Sequence, residues 1–381
     1  MEPVCWGLEH VPVNAGVVQA VRSAYSARKV IFLGEARHVE AVRSLMPLSV
    51  SATVQWETIS VPERKKPFKS RFLIDLARAF RTFWQFRRRL NGTLVLLSFT
   101  PAELIAVKIA HLITRSSLKV CVFFHANARY LVGWRSRNPF LRMMDTSFSV
   151  DLLASRPFTY VVLEQGIKES LCRKRPSMAN RLSVFEHPVP SSDAIAPLSL
   201  QLPILFAFIG SAEETKGFGQ FVAICDATKS KVKAEFHCIG HFLSPPQKSL
   251  DLSALDTVPA STPLDRDAFL QRLKSVHFVV MPYELEHYEF CASGALLDAI
   301  AYRKPIIARR LPIFENLAKR YGDIGYLCDT LEDMLRVTIE LAQGPDPERY
   351  MSQLENIGLA RLDRSPESLA VEIRAIINPS D

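Results

Sequence analysis

The sequence predicts an α/β protein built from two Rossmann-like, doubly wound domains that face each other across a cleft. Three observations carry this. β-Branched apolar runs alternate with helical patterns through the first half, the same alternation restarts in the second half, and the stretch 187–203 between them is rich in proline and turn formers. Strand alternating with helix implies right-handed crossovers and a parallel sheet covered on both faces. At 381 residues the chain is long enough for two such domains, each with a sizeable core.

In the first half, strands are expected at 29–33, 52–58, 93–99, 119–124, 160–163 and 182–186, with helices at 15–26, 36–46, 68–90, 101–116 and 165–174. The segment His187-Pro188-Val189-Pro190-Ser191-Ser192-Asp193, continuing to Pro197 and Pro203, has little to bury and reads as the linker. The second series places strands at 204–209, 233–239, 276–281, 304–308 and 324–327, and helices at 216–228, 266–275, 293–302, 312–320 and 331–343. A last helix is announced by Ser365-Pro366-Glu367, an N-cap followed by proline and an acid in the first turn. The domains expected are therefore 1–190, with the helix at 365–381 a candidate to complete it, and 191–364. No internal repeat or low-complexity tract appears.

An apolar fraction of 48% and a charged fraction of 23% are close to soluble averages, so neither disorder nor a membrane-spanning class is indicated. No apolar run reaches the roughly 18 residues of a spanning helix. Met1-Glu2-Pro3 lacks both a basic and an apolar leader region, so no signal peptide and a cytoplasmic location are expected. The seven cysteines are scattered singly, without CxxC spacing, and read as reduced thiols. His237 and His241 stand four apart with Gly240 between them, a poor metal pair.

The net charge of +8 is concentrated. Between Glu63 and Arg89 lie ten basic residues against two acidic ones, interleaved with Phe68, Phe72, Leu76, Phe80, Phe83 and Trp84. A basic helix with an aromatic face can lie in a membrane interface and attract anionic headgroups. The same pattern equally describes a core-facing helix with a solvated basic side. Nucleic-acid binding ranks last, because no helix-turn-helix, RNP-like or zinc-finger pattern accompanies the charge.

Two stretches could cradle a nucleotide diphosphate. Each places small residues between an apolar strand and a helix, so that backbone amides at the helix start can face an anion. One is Phe208-Ile209-Gly210-Ser211-Ala212-Glu213-Glu214-Thr215-Lys216-Gly217-Phe218; the other runs from Met281-Pro282-Tyr283 through Cys291-Ala292-Ser293-Gly294 to Asp298. The dinucleotide fingerprint is absent, since Gly217-Phe218-Gly219-Gln220-Phe221-Val222 fails at its sixth position, and no GxxxxGK loop occurs. A nicotinamide dehydrogenase and a P-loop NTPase are thereby disfavoured. Asp265-Arg266-Asp267 spells a metal-binding DxD, yet it stands where acids favour a helix start. Asp298 in the apolar run 295–301 would be costly to bury alone, which implies a ligand or a partner.

The strings FIGSAEETKGFGQF (208–221) and MPYELEHYEFCASGALLDAIAYRKPIIA (281–308) resemble the C-terminal domain of retaining GT-B glycosyltransferases of the group 1, family 4-like kind, in a divergent branch tied to bacterial surface polysaccharides. The resemblance implies a hexosyltransferase-type enzyme that uses a nucleotide-diphosphate sugar and no metal or other cofactor. Its acceptor would be a glycan or, if the basic aromatic segment 64–90 docks on the inner leaflet of the membrane, a lipid-linked one, with no nucleic acid involved. Carried over by position, Gly210, Ser211, Lys216, Tyr288, Ser293, Gly294 and Asp298 would bind the donor, and His125, Lys216 and Glu289 would be catalytic. Lys216 would pair with the diphosphate, Asp298 would hold the ribose hydroxyls, and His125, after the strand 119–124, would touch the donor sugar. Arg129, Glu35, Arg37, His38, Glu9, His10 and Asn14 are placed to meet the acceptor by position alone.

Two departures stand out. Ser211 occupies the place of a usual basic residue, and the acids Glu289 and Asp298 are nine apart where the family has eight, with Phe290 in the expected position. Glu284, Glu286 and Glu289 all remain candidates to meet the sugar. A nucleotide-sugar epimerase or hydrolase of the same fold, or a non-catalytic assembly protein, is the alternative.

Overall fold

The structure, a computed structural model, describes residues 1–61, 68–86, 92–115, 118–125, 127–133, 136–154, 158–189, 198–243 and 250–378, with the side chains of 68–70 and 86 left aside. Arg64, Lys65, Lys66, Arg87, Arg88, Arg89 and the 190–197 part of the linker lie outside the described residues, as does the side chain of Lys69. The chain divides into two compact units. The first comprises 1–190, 290–292 and 364–381; the second comprises 191–289 and 293–363.

The first unit holds six parallel strands: β1 (Val30–Gly34), β2 (Val54–Thr58), β3 (Thr93–Leu96), β4 (Lys119–Phe124), β5 (Phe158–Val162) and β6 (Leu182–Val184). The expected single sheet is interrupted: β1 pairs with β2, while β3-β4-β5-β6 form a separate ladder. Met1 and Glu2 span the interruption. The Met1 ammonium donates to Val95 O at 2.7 Å, Leu97 N to Met1 O at 3.0 Å and Glu2 N to Leu33 O at 2.7 Å. Extended backbone inserted between two strand edges satisfies groups that would otherwise face apolar surroundings unpaired. The helix Phe68–Phe86 turns Phe72, Ala79 and Phe83 into the interior, so that face of the basic segment is core.

The C-terminal helix Pro366–Ile377 belongs to this unit, with Leu369, Ile373, Ile376 and Ile377 buried beside residues of the helix Val11–Ala24. Ser365 caps it, its Oγ accepting from Ser368 N at 3.2 Å. Arg364, just before the cap, is buried and reaches Glu164 through two bonds of 2.6 and 2.8 Å and Glu186 at 2.6 Å. Burial raises the Glu164 pKa, Arg364 opposes this, and the nearby Glu186 adds to it.

The second unit is one five-stranded parallel sheet of β7 (Leu205–Ala212), β8 (Glu235–Phe242), β9 (Phe278–Met281), β10 (Ile306–Arg309) and β11 (Gly325–Cys328), in the order β11-β10-β9-β7-β8. The interior strand β7 is pinned by Phe206, whose ring stacks on Phe236 of β8 at 5.2 Å and on Phe278 of β9 at 5.9 Å. Each such pair contributes about 0.5–1.5 kcal/mol beyond its burial. Lys304 is buried and donates to Lys274 O and Val276 O, so its ammonium meets backbone carbonyls at and just past the end of the helix Arg266–Lys274, and burial lowers its pKa to about 8.

The 17-residue helix Pro347–Asp363 was not among the expected elements. Gly344, Pro345 and Pro347 are turn formers, yet Pro347 opens the helix and Asp346 caps it, its carboxylate accepting from Glu348 N and Arg349 N. The strand order within this sheet reverses between β7 and β9, so their carboxyl ends form a topological switch point.

Candidate active site

The loops after β7 and β9 are the two stretches singled out above, and they are bonded to each other. Gly217, at φ 72°, ends the turn Glu214–Lys216, and a Cβ there would lie 1.9 Å from Pro282 O. Glu284 N donates to Thr215 O at 3.2 Å. A glycine at 217 is therefore what lets the second loop press against the first.

Lys216 lies against the end of β7. Its Nζ donates to Ser211 Oγ at 2.7 Å and stands 4.0 Å from Glu213 Oε1, while Ser211 Oγ donates to Glu213. Gly210, at φ 91°, lies below this ammonium, and a Cβ there would come within 3.1 Å of it. Ser211 thus does not replace a cation; it holds one.

On the other side, Ser293 caps the helix Gly294–Ala301, accepting from Leu296 N at 3.2 Å, and its Oγ also bonds the Tyr283 hydroxyl at 2.8 Å. Tyr288 is buried and stacked on Tyr283 at 4.1 Å, so its ring braces the loop that carries the cap. The first amides of such a helix lack intrahelical acceptors and carry the positive end of its dipole. Gly294, the first helical residue, is exposed.

One turn along, Asp298 is partly buried and accepts from Arg266 Nη2 at 2.7 Å. Burial raises its pKa, and the charges of Arg266 and Lys216 draw it back. The partner implied by this buried acid is an arginine that sequence reasoning passed over. The reading of Asp265-Arg266-Asp267 as a helix start describes Asp265, whose carboxylate accepts from Ala268 N at 2.9 Å, and it left Arg266 without a role. Glu284 and Glu286 are exposed, and Glu289 is half-buried at the end of the short helix Leu285–Tyr288. Phe290, at the position of the family's acid, is buried in the core of the first unit with the Lys174 ammonium 4.8 Å from its ring centroid.

In the first unit, a cavity of about 520 Å³ opens at the carboxyl ends of β3 and β4. His10, Ser98, His125, Asn127, Arg129 and Tyr130 are among its lining residues. His125 is 8% exposed, its ring meets His10 edge to face at 4.8 Å, and its Nε2 has no hydrogen-bond partner among the described residues. Burial lowers its pKa to about 3, with His10 acting in the same sense and Glu2 against, so the ring is neutral at ordinary pH. Asn127 donates to Phe99 O, and its Oδ1 is likewise buried and unpartnered.

Beneath the cavity lies an acid that nothing in the sequence singled out. Glu2 is fully buried and accepts from Val4 N, Cys5 N, Asn14 Nδ2 and Ser98 Oγ. Burial alone would raise its pKa, but the bonds from Ser98, Cys5 and Val4 and the proximity of His125 leave it below the usual value. Asn14 also meets His38 Nε2 at 2.9 Å, and His38 Nδ1 meets Gly7 O at 2.9 Å. His38 and Asn14, read by position as possible acceptor contacts, are fully buried members of this network. Glu35 caps the helix Ala36–Ser44 through His38 N, and Arg37 stacks on Trp6. The network explains these residues as supports for the strand ends.

No protein-family model matches the chain, and no curated protein is matched either. Solved structures are matched over almost its whole length. A glycosyltransferase from Rickettsia africae aligns with a TM-score of 0.66 at 12% identity, over 99% of this chain and 98% of that one. WaaG, a glycosyltransferase involved in lipopolysaccharide biosynthesis, aligns with 0.62 at 12%, over 98% and 97%. The lipopolysaccharide outer core galactosyltransferase WaaB in its apo form aligns with 0.57 at 13%, over 93% and 100%. The fold of this chain is that of the GT-B glycosyltransferases.

Proposed function

We propose that the chain transfers a sugar from a nucleotide-diphosphate sugar to a lipid-linked or polysaccharide acceptor, with retention of anomeric configuration. The observation that carries this is that Lys216, the start of the helix Gly294–Ala301 and the Arg266–Asp298 pair stand by the switch point of a parallel sheet, with the Lys216 charge acting on Asp298. That the matched solved structures are glycosyltransferases supports it further.

In the transfer, the bond from the anomeric carbon to the diphosphate oxygen breaks, and the acceptor hydroxyl bonds to that carbon on the same face. The hydroxyl proton passes to the departing oxygen. Lys216 and the helix amides stabilise charge that grows on the diphosphate, an interaction stronger in the transition state than in the ground state. Asp298 holds the ribose hydroxyls, Glu289 the sugar, and His125 offers its unpartnered Nε2 to a substrate hydroxyl. Because protein groups meet the charge, activity is expected to persist in EDTA.

The test is calorimetric titration of the full chain with a panel of nucleoside diphosphates, repeated with Lys216→Ala and Asp298→Ala. Selective binding that is lost in both variants, with turnover by Lys216→Ala down about 10²–10³-fold, is the expected result. Donor consumed at the same rate without acceptor would reassign the chain as an epimerase or hydrolase. No binding by the unaltered protein would make it a non-catalytic assembly protein.

A further inference from the structure

The helix Phe68–Phe86 has a second apolar face. Leu73 and Ile74 are 63% and 65% exposed, although Phe72 beside them is fully buried. Phe72 and Leu76 share a buried cluster with Leu141 and Met144, and in that neighbouring segment Phe140 and Met143 are 55% and 37% exposed. Two elements packed on one cluster therefore both turn large apolar side chains outward beside it. Arg137 and Arg142 are exposed in the same neighbouring segment. Helix packing explains Phe72 and Phe83 but not four exposed apolar residues that make no use of the core.

We propose that this face of the first unit docks on an anionic lipid bilayer, with Leu73, Ile74, Phe140 and Met143 entering the interface and Arg137 and Arg142 meeting headgroups. Charge complementarity selects this occupant. Arg137 and Arg142 stand exposed in the segment beside the helix, Arg81 is exposed on the helix itself, and the sequence 63–89 that contains the helix carries ten basic residues against two acidic ones. Basic residues beside inserted apolar side chains are the combination that binds interfaces, each contributing attraction that salt weakens. No helix among the described residues is long and apolar enough to cross a membrane, so the attachment proposed is to its surface. It does not rest on the donor-site assignment.

The experiment is co-sedimentation of the full chain with phosphatidylcholine vesicles with and without phosphatidylglycerol, across a salt series. One variant combines Leu73→Ser, Ile74→Ser and Phe140→Ser; the other combines Arg137→Glu and Arg142→Glu. All five positions are exposed, and circular dichroism checks that both variants fold. Binding confined to anionic vesicles, weakened by salt and reduced about tenfold or more in each variant, is expected. Unchanged binding by both variants, or no binding to anionic vesicles at low salt, overturns the proposal. Self-association lost in the serine variant without vesicle binding also overturns it, in favour of a second copy on this face. Nucleoside diphosphate affinity, measured in parallel without vesicles, stays unchanged in both variants, so failure here and failure of the donor site are read separately.

Discussion

Both units place polar groups at the carboxyl ends of parallel strands, but they assemble them differently. In the second unit the groups lie on two short loops. Gly210, Ser211 and Lys216 fall within seven residues of one another, and Ser293, Gly294 and Asp298 within six, so each half of the site is a local string. In the first unit, Glu2, Asn14, His38, Ser98 and His125 come from five separate places in the chain and meet only through the fold. The first arrangement takes its precision from glycines and a helix cap, the second from burial. They should therefore fail in different ways.

The largest expected effect follows from removing the buried cation of the first unit. Arg364→Ala leaves Glu164 and Glu186 as uncompensated acids and cuts the anchor of the C-terminal helix, at a cost of about 3–5 kcal/mol. All four tryptophans, Trp6, Trp56, Trp84 and Trp134, lie in the stretch 1–190. Urea unfolding followed by their fluorescence should show a much lower midpoint, while a variant of the second unit should leave that signal in place. An unshifted midpoint would mean that the helix is held by its apolar face alone.

The next effect is on pH. His125 and His187 are both buried, with pKa values pushed down by burial, that of His125 to about 3. An unfolded histidine takes up its proton near 6.5, so between that pH and the folded pKa the unfolded chain binds more protons than the native one. Stability is complete above about pH 6.5 and is lost as the pH falls. At pH 5 the loss is about 2 kcal/mol for His125, and His187 adds to it in the same direction. The tryptophan-detected midpoint should drop steeply between pH 7 and pH 5, and replacing both residues by glutamine should flatten the dependence. A double variant with the parental slope would sink this account.

The contrast between the units also accounts for what the sequence disclosed. The alternation of strands and helices was legible because period-two and helical patterns are local, and the capping signals at Asp265 and Ser365 were local too. The two loops after β7 and β9 could be picked out because glycines and small residues beside strands mark sharp turns, and the resemblance named Lys216, Ser293 and Asp298 within them. The Met1–Glu2 bridge, the split of the first sheet and the Glu2 network were not legible, since they depend on pairings between residues up to 96 positions apart. Arg266 was hidden by a motif with a simpler local explanation. The helix Pro347–Asp363 was missed although its Asp-Pro start was present, its start signal lying directly behind the turn formers Gly344 and Pro345.

The smallest effect isolates the local half of the comparison. Ser293→Ala removes the acceptor for Leu296 N and the bond to Tyr283, which should destabilise the second unit by about 1 kcal/mol, whereas Ser293→Gly should cost only a few tenths. The tryptophan signal should not move, so the change must be sought in the far-ultraviolet circular dichroism transition. Because this cap also fixes the amides proposed to face the diphosphate, nucleoside diphosphate affinity should fall with it, and Ser293→Thr should restore both together. If affinity stays at the parental level while stability falls, the helix start is a structural element only, and Lys216 with Arg266 would have to meet the diphosphate without it.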